Sequence, residues 1–143
     1  MTTFLDTNIV IALLDEAHHH HAWSVEELIK RKQVGPAIVS DIVYCEVSVG
    51  MKNKAEVDAA IAQLGLERIR CRDEALVRAG KAFKKYKEEN QGPKNGVLPD
   101  FLIGSVAEME GAPLMTANDK DFTGYFPDIE FICPDVGEGA GPA

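Results

Sequence analysis

Long apolar runs are missing from this sequence. The longest, such as residues 9–14 and 42–45, fall far short of the roughly 20 residues a bilayer-spanning helix needs, which argues against an integral membrane protein. Cysteine is scarce: Cys45, Cys71 and Cys133 are odd in number, widely spaced and never in a CxxC pair. Neither a disulfide framework nor a zinc knuckle is expected, and a reducing cytoplasm is the expected setting. Residues 1–6 carry no basic segment, and Asp6 interrupts their apolar run, so no export signal is expected. Basic charge is also short, with 15 Lys and Arg against 23 Asp and Glu, a net charge of −8 that repels nucleic acid at long range. The rest is ordinary: 143 residues, 45% hydrophobic and 27% charged, fit one compact domain.

The charge is unevenly spread. Residues 68–87 hold Arg68, Arg70, Arg72, Arg78, Lys81, Lys84, Lys85 and Lys87 against only Asp73 and Glu74, whereas Lys120 is the sole basic residue beyond Lys94. Such a run is either a solvated helix face or a ridge that tracks phosphates. The C-terminal third is acidic, and residues 134–143, rich in Gly, Pro and Ala, read as a flexible tail following a domain at 1–133.

Hydrophobic periodicity and turn chemistry predict alternating strands and helices. Phe4-Leu5 reads as a short buried strand, followed by a helix over 8–15 with Asp6 or Thr7 at its cap. A helix over 22–32, a strand over 36–39 and a helix capped by Ser40 and reaching about Val49 come next. Asn53 and Glu56 have capping-box spacing ahead of a helix to Leu64. A strand at 66–71 precedes an amphipathic helix with Ala75, Leu76, Ala79, Ala82, Phe83 and Tyr86 on one face. The Gly-rich loop at 91–98 leads to Pro99, a first-turn residue of a helix reaching Glu110, and strands are expected at 113–115 and 129–132. The fold class is therefore α/β, a central mostly parallel sheet flanked by helices, with ligands bound beyond the carboxyl ends of its strands.

Several acids stand where acids are costly. Asp6 ends the first strand and opens the following helix, where the helix dipole favours its charge, although a plain cap accounts for this too. Glu46 lies one helical turn from Ile42, Val43 and Val49, and Asp100 one turn from Ile103, Gly104 and Ala107, so both carboxylates fall on or beside apolar stripes. Uncompensated burial there costs several kcal/mol. A further acid-rich turn, Asn118-Asp119-Lys120-Asp121, follows the strand ending at Met115-Thr116. All four groups can meet at one sheet edge, where mutual repulsion requires retained protons or a hard divalent cation. Oxygen-only ligation selects Mg²⁺ or Mn²⁺, and the chemistry this suits is phosphodiester hydrolysis.

The sequence resembles the PIN-domain ribonucleases, particularly the VapC-type toxins of toxin–antitoxin modules. The likeness runs through Phe4-Leu5-Asp6-Thr7-Asn8, Val39-Ser40 with Glu46, Leu98-Pro99-Asp100 with Ala107, and Leu114-Met115-Thr116 with Asn118 and Asp121-Phe122. It implies a PIN-like nuclease domain, a Mg²⁺- or Mn²⁺-dependent endoribonuclease site, a homodimer, and a VapB-like antitoxin whose tail covers the acidic cleft. Carried across, Asp6, Glu46 and Asp100 look like the core metal-binding and catalytic carboxylates. Many relatives have an acid where this chain has Asn118. Asp121 is ranked as the fourth ligand, Asn118 as its hydrogen-bonding partner and Asp119 as the lesser candidate. Thr7, Asn8 and Thr116 are expected to support the carboxylates, and Arg78, Lys81, Lys84 and Lys85 to contact the RNA backbone, with the 91–98 loop lining its path.

Two other readings compete. An apolar strand ending in Asp6-Thr7-Asn8 suggests a haloacid-dehalogenase-like phosphatase with a nucleophilic Asp6, but that pattern expects an acid at position 8. A PIN-like module that binds RNA without cleaving it is the other, and the intact acids argue against it. The run His18-His19-His20-His21 invites a metal reading, although consecutive residues at a helix start point in different directions.

Overall fold

The computed structural model describes residues 1–89 and 97–134. Five strands, β1 (Thr3–Leu5), β2 (Ala37–Ser40), β3 (Glu67–Ile69), β4 (Leu114–Met115) and β5 (Phe131–Ile132), form one sheet in the order β3-β2-β1-β4-β5. Every pairing is parallel, with Phe4 beside Ile38 and Leu114, and Ile38 beside Glu67. β1, β2 and β4 are buried along their length, as expected of strands covered on both faces. The chain lays β2 and β3 on one side of β1, then returns to lay β4 and β5 on the other. The crevice between the carboxyl ends of β1 and β4 is thus the switch point at which such sheets bind ligands.

The helices are α1 (Thr7–Leu14), α2 (His21–Val34), α3 (Asp41–Ser48), α4 (Lys54–Gln63), α5 (Asp73–Glu89) and α6 (Leu98–Glu110). Their starts follow local side-chain chemistry. Asp6 caps α1, and Ser40 Oγ accepts from the Val43 N–H at 3.4 Å to cap α3. Asn53 Oδ1 accepts from the Glu56 N–H at 3.0 Å, but Glu56 Oε1 accepts from the Lys52 N–H at 3.3 Å instead of that of Asn53, so the box is shifted by one residue. Pro99 lies in the first turn of α6, and Gly111, at φ 64°, ends that helix in the left-handed conformation that glycine adopts without strain.

Where expectation and structure differ, packing gives the reason. β3 is confined to Glu67–Ile69, an exposed edge strand. On α5 only Ala75, Ala79 and Ala82 are buried, a stripe of small side chains that lets α6 approach closely. Leu76 lies about 100° round the helix from Ala75 and is 44% exposed, so it does not join that face. Phe83 and Tyr86 pack their ring edges on Phe101, at 6.0 and 5.7 Å between centroids. The expected 91–98 loop lies outside the described residues up to Gly96, as does the expected tail beyond Pro134.

Gly104, on α6, is a close-approach glycine: a Cβ there would stand 2.9 Å from the Phe126 ring and 3.2 Å from that of Phe122. Both rings are fully buried. Gly104→Val is expected to destabilise the fold by about 1–3 kcal/mol through overpacking. Chemical denaturation checks this, and a midpoint equal to wild type would show that the two rings yield freely.

Candidate active site

Asp6 sits where β1 becomes α1. Its N–H donates to the Met115 carbonyl at 2.9 Å, which locks the end of β1 against β4. Its Oδ1 accepts from the Thr7 N–H at 2.7 Å, and its Oδ2 accepts from the buried Thr116 hydroxyl at 2.7 Å and the Asn8 amide at 3.4 Å. Asp6 is only 5% exposed. Burial pushes its carboxyl above the ordinary range, opposed by the hydrogen bonds from Thr116 and Thr7, while the charges of Glu46 and Asp121 push it further up.

The neighbouring side chains form a connected network. Thr7, the first residue of α1, donates its hydroxyl to Glu46 Oε1 at 2.5 Å, joining α1 to α3. The Ala117 N–H donates to Asn8 Oδ1 at 3.2 Å, and the Asn118 N–H to Thr116 Oγ1 at 3.1 Å. Asn118 Nδ2 in turn donates to Asp121 Oδ2 at 2.9 Å, within the short 3-10 turn after β4. Asp100, in the first turn of α6, is half-buried, and its carboxyl is pushed up to about 7. Burial is the larger cause, followed by the charges of Asp6, Asp121 and Glu46.

Asp6, Glu46, Asp100 and Asp121 are therefore one electrostatic group at the strand-order switch. Asp119 is not among the charges acting on Asp6 or Asp100. Its charge acts instead on Cys133, whose thiol is pushed up to about 11, first by burial and then by Asp119. Among the described residues, no three His, Cys, Asp or Glu side chains are already arranged to hold a metal ion. The oxygens of Asp6, Glu46 and Asp121 are hydrogen-bonded to Thr7, Thr116, Asn8 and Asn118. The donor set nonetheless fits a hard divalent cation, because it is all oxygen and its buried member, Asp6, lacks a cationic partner among the described residues.

Other expected site residues stand elsewhere. Arg78 is half-buried: its guanidinium donates to both Glu108 carboxylate oxygens, at 2.7 and 3.3 Å, and to the Tyr125 carbonyl at 2.7 Å, and lies 4.8 Å from the Phe126 ring centroid. These contacts, made by Nε and Nη2 of the guanidinium, tie α5 to α6. Lys81, Lys84 and Lys85 are exposed, with Lys84 4.0 Å from Glu88 and Lys85 over the Tyr125 ring at 5.8 Å. In the His run, the rings of His18, His19 and His20 pile on one another at 4.0–5.8 Å instead of converging their nitrogens. Sequence reading missed an apolar groove of about 350 Å³ beside Glu46, lined by Ile11, Leu14, Val47, Val49 and Met51. Ile11 and Leu14, three residues apart on α1, are its trace in the sequence.

An all-parallel α/β domain with four carboxylates gathered at the strand-order switch defines a narrow class. The chain belongs to the PIN domain family, whose sequence pattern matches residues 3–125. It is similar to Ribonuclease VapC1 of Aquifex aeolicus, at 32% identity over 136 residues, covering 90% of this chain and 88% of that protein. In fold it matches VapBC2 of Rickettsia felis bound to a DNA fragment from their promoter, with a TM-score of 0.69 and 24% identity over 94% of this chain and all of that one. A toxin–antitoxin complex from Klebsiella pneumoniae matches with a TM-score of 0.62 and 26% identity, covering 89% and 94% of the two chains. The phosphatase alternative finds no support in this likeness. Among the described residues, no helix is long and apolar enough to cross a membrane.

Proposed function

We propose that this chain is a divalent-metal-dependent endoribonuclease of the VapC type, hydrolysing RNA phosphodiesters. The observation that carries this is the four-carboxylate group, with Asp6 buried and Asp100 held near neutrality in its proton affinity. Asp6, Asp100, Glu46 and Asp121 would hold the ion. Bound Mg²⁺ or Mn²⁺ supplies positive charge against the phosphoryl oxygens and makes water more acidic. Glu46 keeps Oε2 for the proton of the attacking water, because Thr7 occupies Oε1. Thr116 and Asn8 fix the Asp6 carboxylate, and Asn118 fixes Asp121. By the family likeness, water would add to phosphorus as the P–O3′ bond breaks, leaving a 3′-hydroxyl and a 5′-phosphate.

Cleavage mapping on total RNA tests this reading. Wild type is expected to cut in Mg²⁺ or Mn²⁺ and to stop on chelation, and Asp6→Ala is expected to lose about 10²-fold or more in rate. RNA binding without cleavage across all these conditions would instead favour the non-catalytic module.

Partners follow from the surface. The groove of Ile11, Leu14 and Val49 borders Glu46 and suits an apolar helix of an antitoxin whose basic side chain reaches the acids. A homodimer and a cytoplasmic setting complete the proposal. The exposed Lys81, Lys84 and Lys85 stand on the half of α5 nearer Asp100, since Phe83 and Tyr86 pack on Phe101. Reversing Lys84 and Lys85 to Glu is expected to weaken RNA binding and to flatten its salt dependence. An unchanged salt slope would remove α5 from the RNA path.

A further inference from the structure

A cavity of about 630 Å³ opens between α3, α4 and β3, walled by Tyr44, Lys52, Asn53, Lys54, Arg68 and Arg70. In a chain of net charge −8 such a concentration of cations needs a cause. Period-two alternation puts Arg68 and Arg70 on one face of the β3 segment, the α3–α4 turn adds Lys52, and the first residue of α4 adds Lys54. Two acids organise this wall without lining it. Asp41 accepts from the Arg68 guanidinium and the Cys71 N–H, at 3.0 and 3.2 Å. Asp58 accepts from the Tyr44 hydroxyl at 2.7 Å and from Lys54 at 2.6 Å.

The result is a fixed platform with surplus charge. The Arg68 guanidinium lies 3.8 Å over the Tyr44 ring, and its side chain is still 39% exposed. Lys52 and Arg70 are exposed, and their side chains make no hydrogen bond or ion pair among the described residues. Charges that merely blunt an edge strand explain Arg68 and Arg70. They do not explain Lys52, or a guanidinium plane held flat beside a cavity whose volume falls in the range of about 300–1,000 Å³ typical of ligand sites.

The cavity stands at the working edge of the sheet. Ile69 is in register with Ser40, so β3 ends level with β2, at the same carboxyl edge as Asp6. Tyr44 and Glu46 are two residues apart on α3, about 200° round the helix, so cavity and carboxylates flank that helix at a separation of roughly its 10–12 Å diameter. A single RNA strand spans that distance.

We propose that this cavity is a second RNA-binding subsite, in which Lys52 and Arg70 hold a phosphate and the Arg68–Tyr44 platform stacks a base of the substrate strand beyond the cleaved bond. It rests on the endoribonuclease reading. Single-stranded RNA is recognised by this combination of cations with aromatic or guanidinium planes. The shared chemistry is a nucleotide phosphate, and binding of 5′-AMP measured beside RNA binding separates a free nucleotide from an RNA strand.

The test is fluorescence anisotropy of a labelled single-stranded oligoribonucleotide with the full chain, in an Asp6→Asn background that prevents turnover. Lys52→Glu with Arg70→Glu is expected to weaken binding roughly tenfold at about 0.1 M salt and to reduce the slope of log K against log salt by about 0.7, the value for one phosphate on a single strand. Lys52→Gln with Arg70→Gln is expected to move both in the same direction by less, with circular dichroism confirming the fold. Unchanged affinity and slope in both folded variants overturn the subsite. So does loss of 5′-AMP binding with RNA binding intact, which assigns the cavity to a free nucleotide. A change in oligomeric mass without a change in RNA affinity also overturns it, in favour of contact between copies. If wild type neither binds nor cuts any RNA, the endoribonuclease reading falls and takes the subsite with it. If wild type cuts RNA and the variants bind as tightly as the background, only the subsite falls.

Discussion

Asp100→Asn is expected to cut RNA cleavage by about 10²-fold or more while making the metal-free protein more stable at pH 8. The two effects share one cause. Burial, and then the charges of Asp6, Asp121 and Glu46, raise the Asp100 carboxyl from 3.8 to about 7 in the fold. Between those values the native state holds a proton that the unfolded chain has released, so stability falls as pH rises. The contribution is fully present below about pH 4 and is lost as pH rises through about 7. Asp6 is raised as well and acts in the same direction.

Asparagine removes that titration. In chelator, the melting temperature of Asp100→Asn should exceed that of wild type by about 4 °C at pH 8, corresponding to roughly 1 kcal/mol once solvent screening of this half-exposed group is allowed for. The gap should close towards pH 4. Adding Mn²⁺ reverses the order, because the ion binds the ionised carboxylates and stabilises the native state by mass action. Wild type should then gain more than the variant, and more at pH 8 than at pH 5. A gap in chelator that is the same at every pH would show that Asp100 carries no shifted proton. Undiminished cleavage by the variant would take it out of the active site.

The legible part of this fold was the part written in short-range chemistry. Phe4-Leu5 followed by Asp6, Ser40 before α3, Pro99 opening α6 and Asn53 before α4 each encode a boundary through one side chain, and each boundary lies within a residue or two of its expected place. The carboxylates could be found because a charge on an apolar stripe is anomalous in itself. Glu46 and Asp100 were visible by helical spacing and Asp6 by its place between strand and helix. Choosing Asp121 over Asp119 was not legible from spacing, since both occupy one 3-10 turn. It depends on Asn118 reaching Asp121, whose charge, unlike that of Asp119, acts on Asp6 and Asp100.

Long-range pairing was the illegible part. The basic run starting at Arg68 reads as one ridge, yet the fold divides it. Arg68 and Arg70 join Lys52 and Lys54, some fifteen residues away in sequence, around a cavity on one side of α3. Arg72 pairs with Glu110 at 3.1 Å, and Arg78 with Glu108. Only Lys81, Lys84, Lys85 and Lys87 remain on the exposed face of α5. Sequence gives the sign of each charge; its partner is set by tertiary structure.

Arg78 turns that distinction into the second large effect. Its guanidinium joins three groups: the Glu108 carboxylate, the Tyr125 carbonyl and the face of Phe126. Arg78 and Glu108 are 32% and 19% exposed, so the pair is partly desolvated and its geometry is bidentate. Arg78→Ala leaves Glu108 without its counter-charge and the Tyr125 carbonyl without this donor. Removing one member of a fully buried pair costs about 3–5 kcal/mol, and partial exposure reduces this to roughly 2 kcal/mol. The melting temperature should fall by about 8 °C. Arg78→Lys should recover little, because an ammonium cannot fork across both carboxylate oxygens while also reaching the carbonyl. Measured well below its melting temperature, Arg78→Ala should keep the wild-type salt slope for RNA binding, whereas the Lys84 and Lys85 reversal should flatten it. A shallower slope for folded Arg78→Ala would mean that its charge reaches the RNA after all, and the role assigned to it as a pin between α5 and α6 would be wrong.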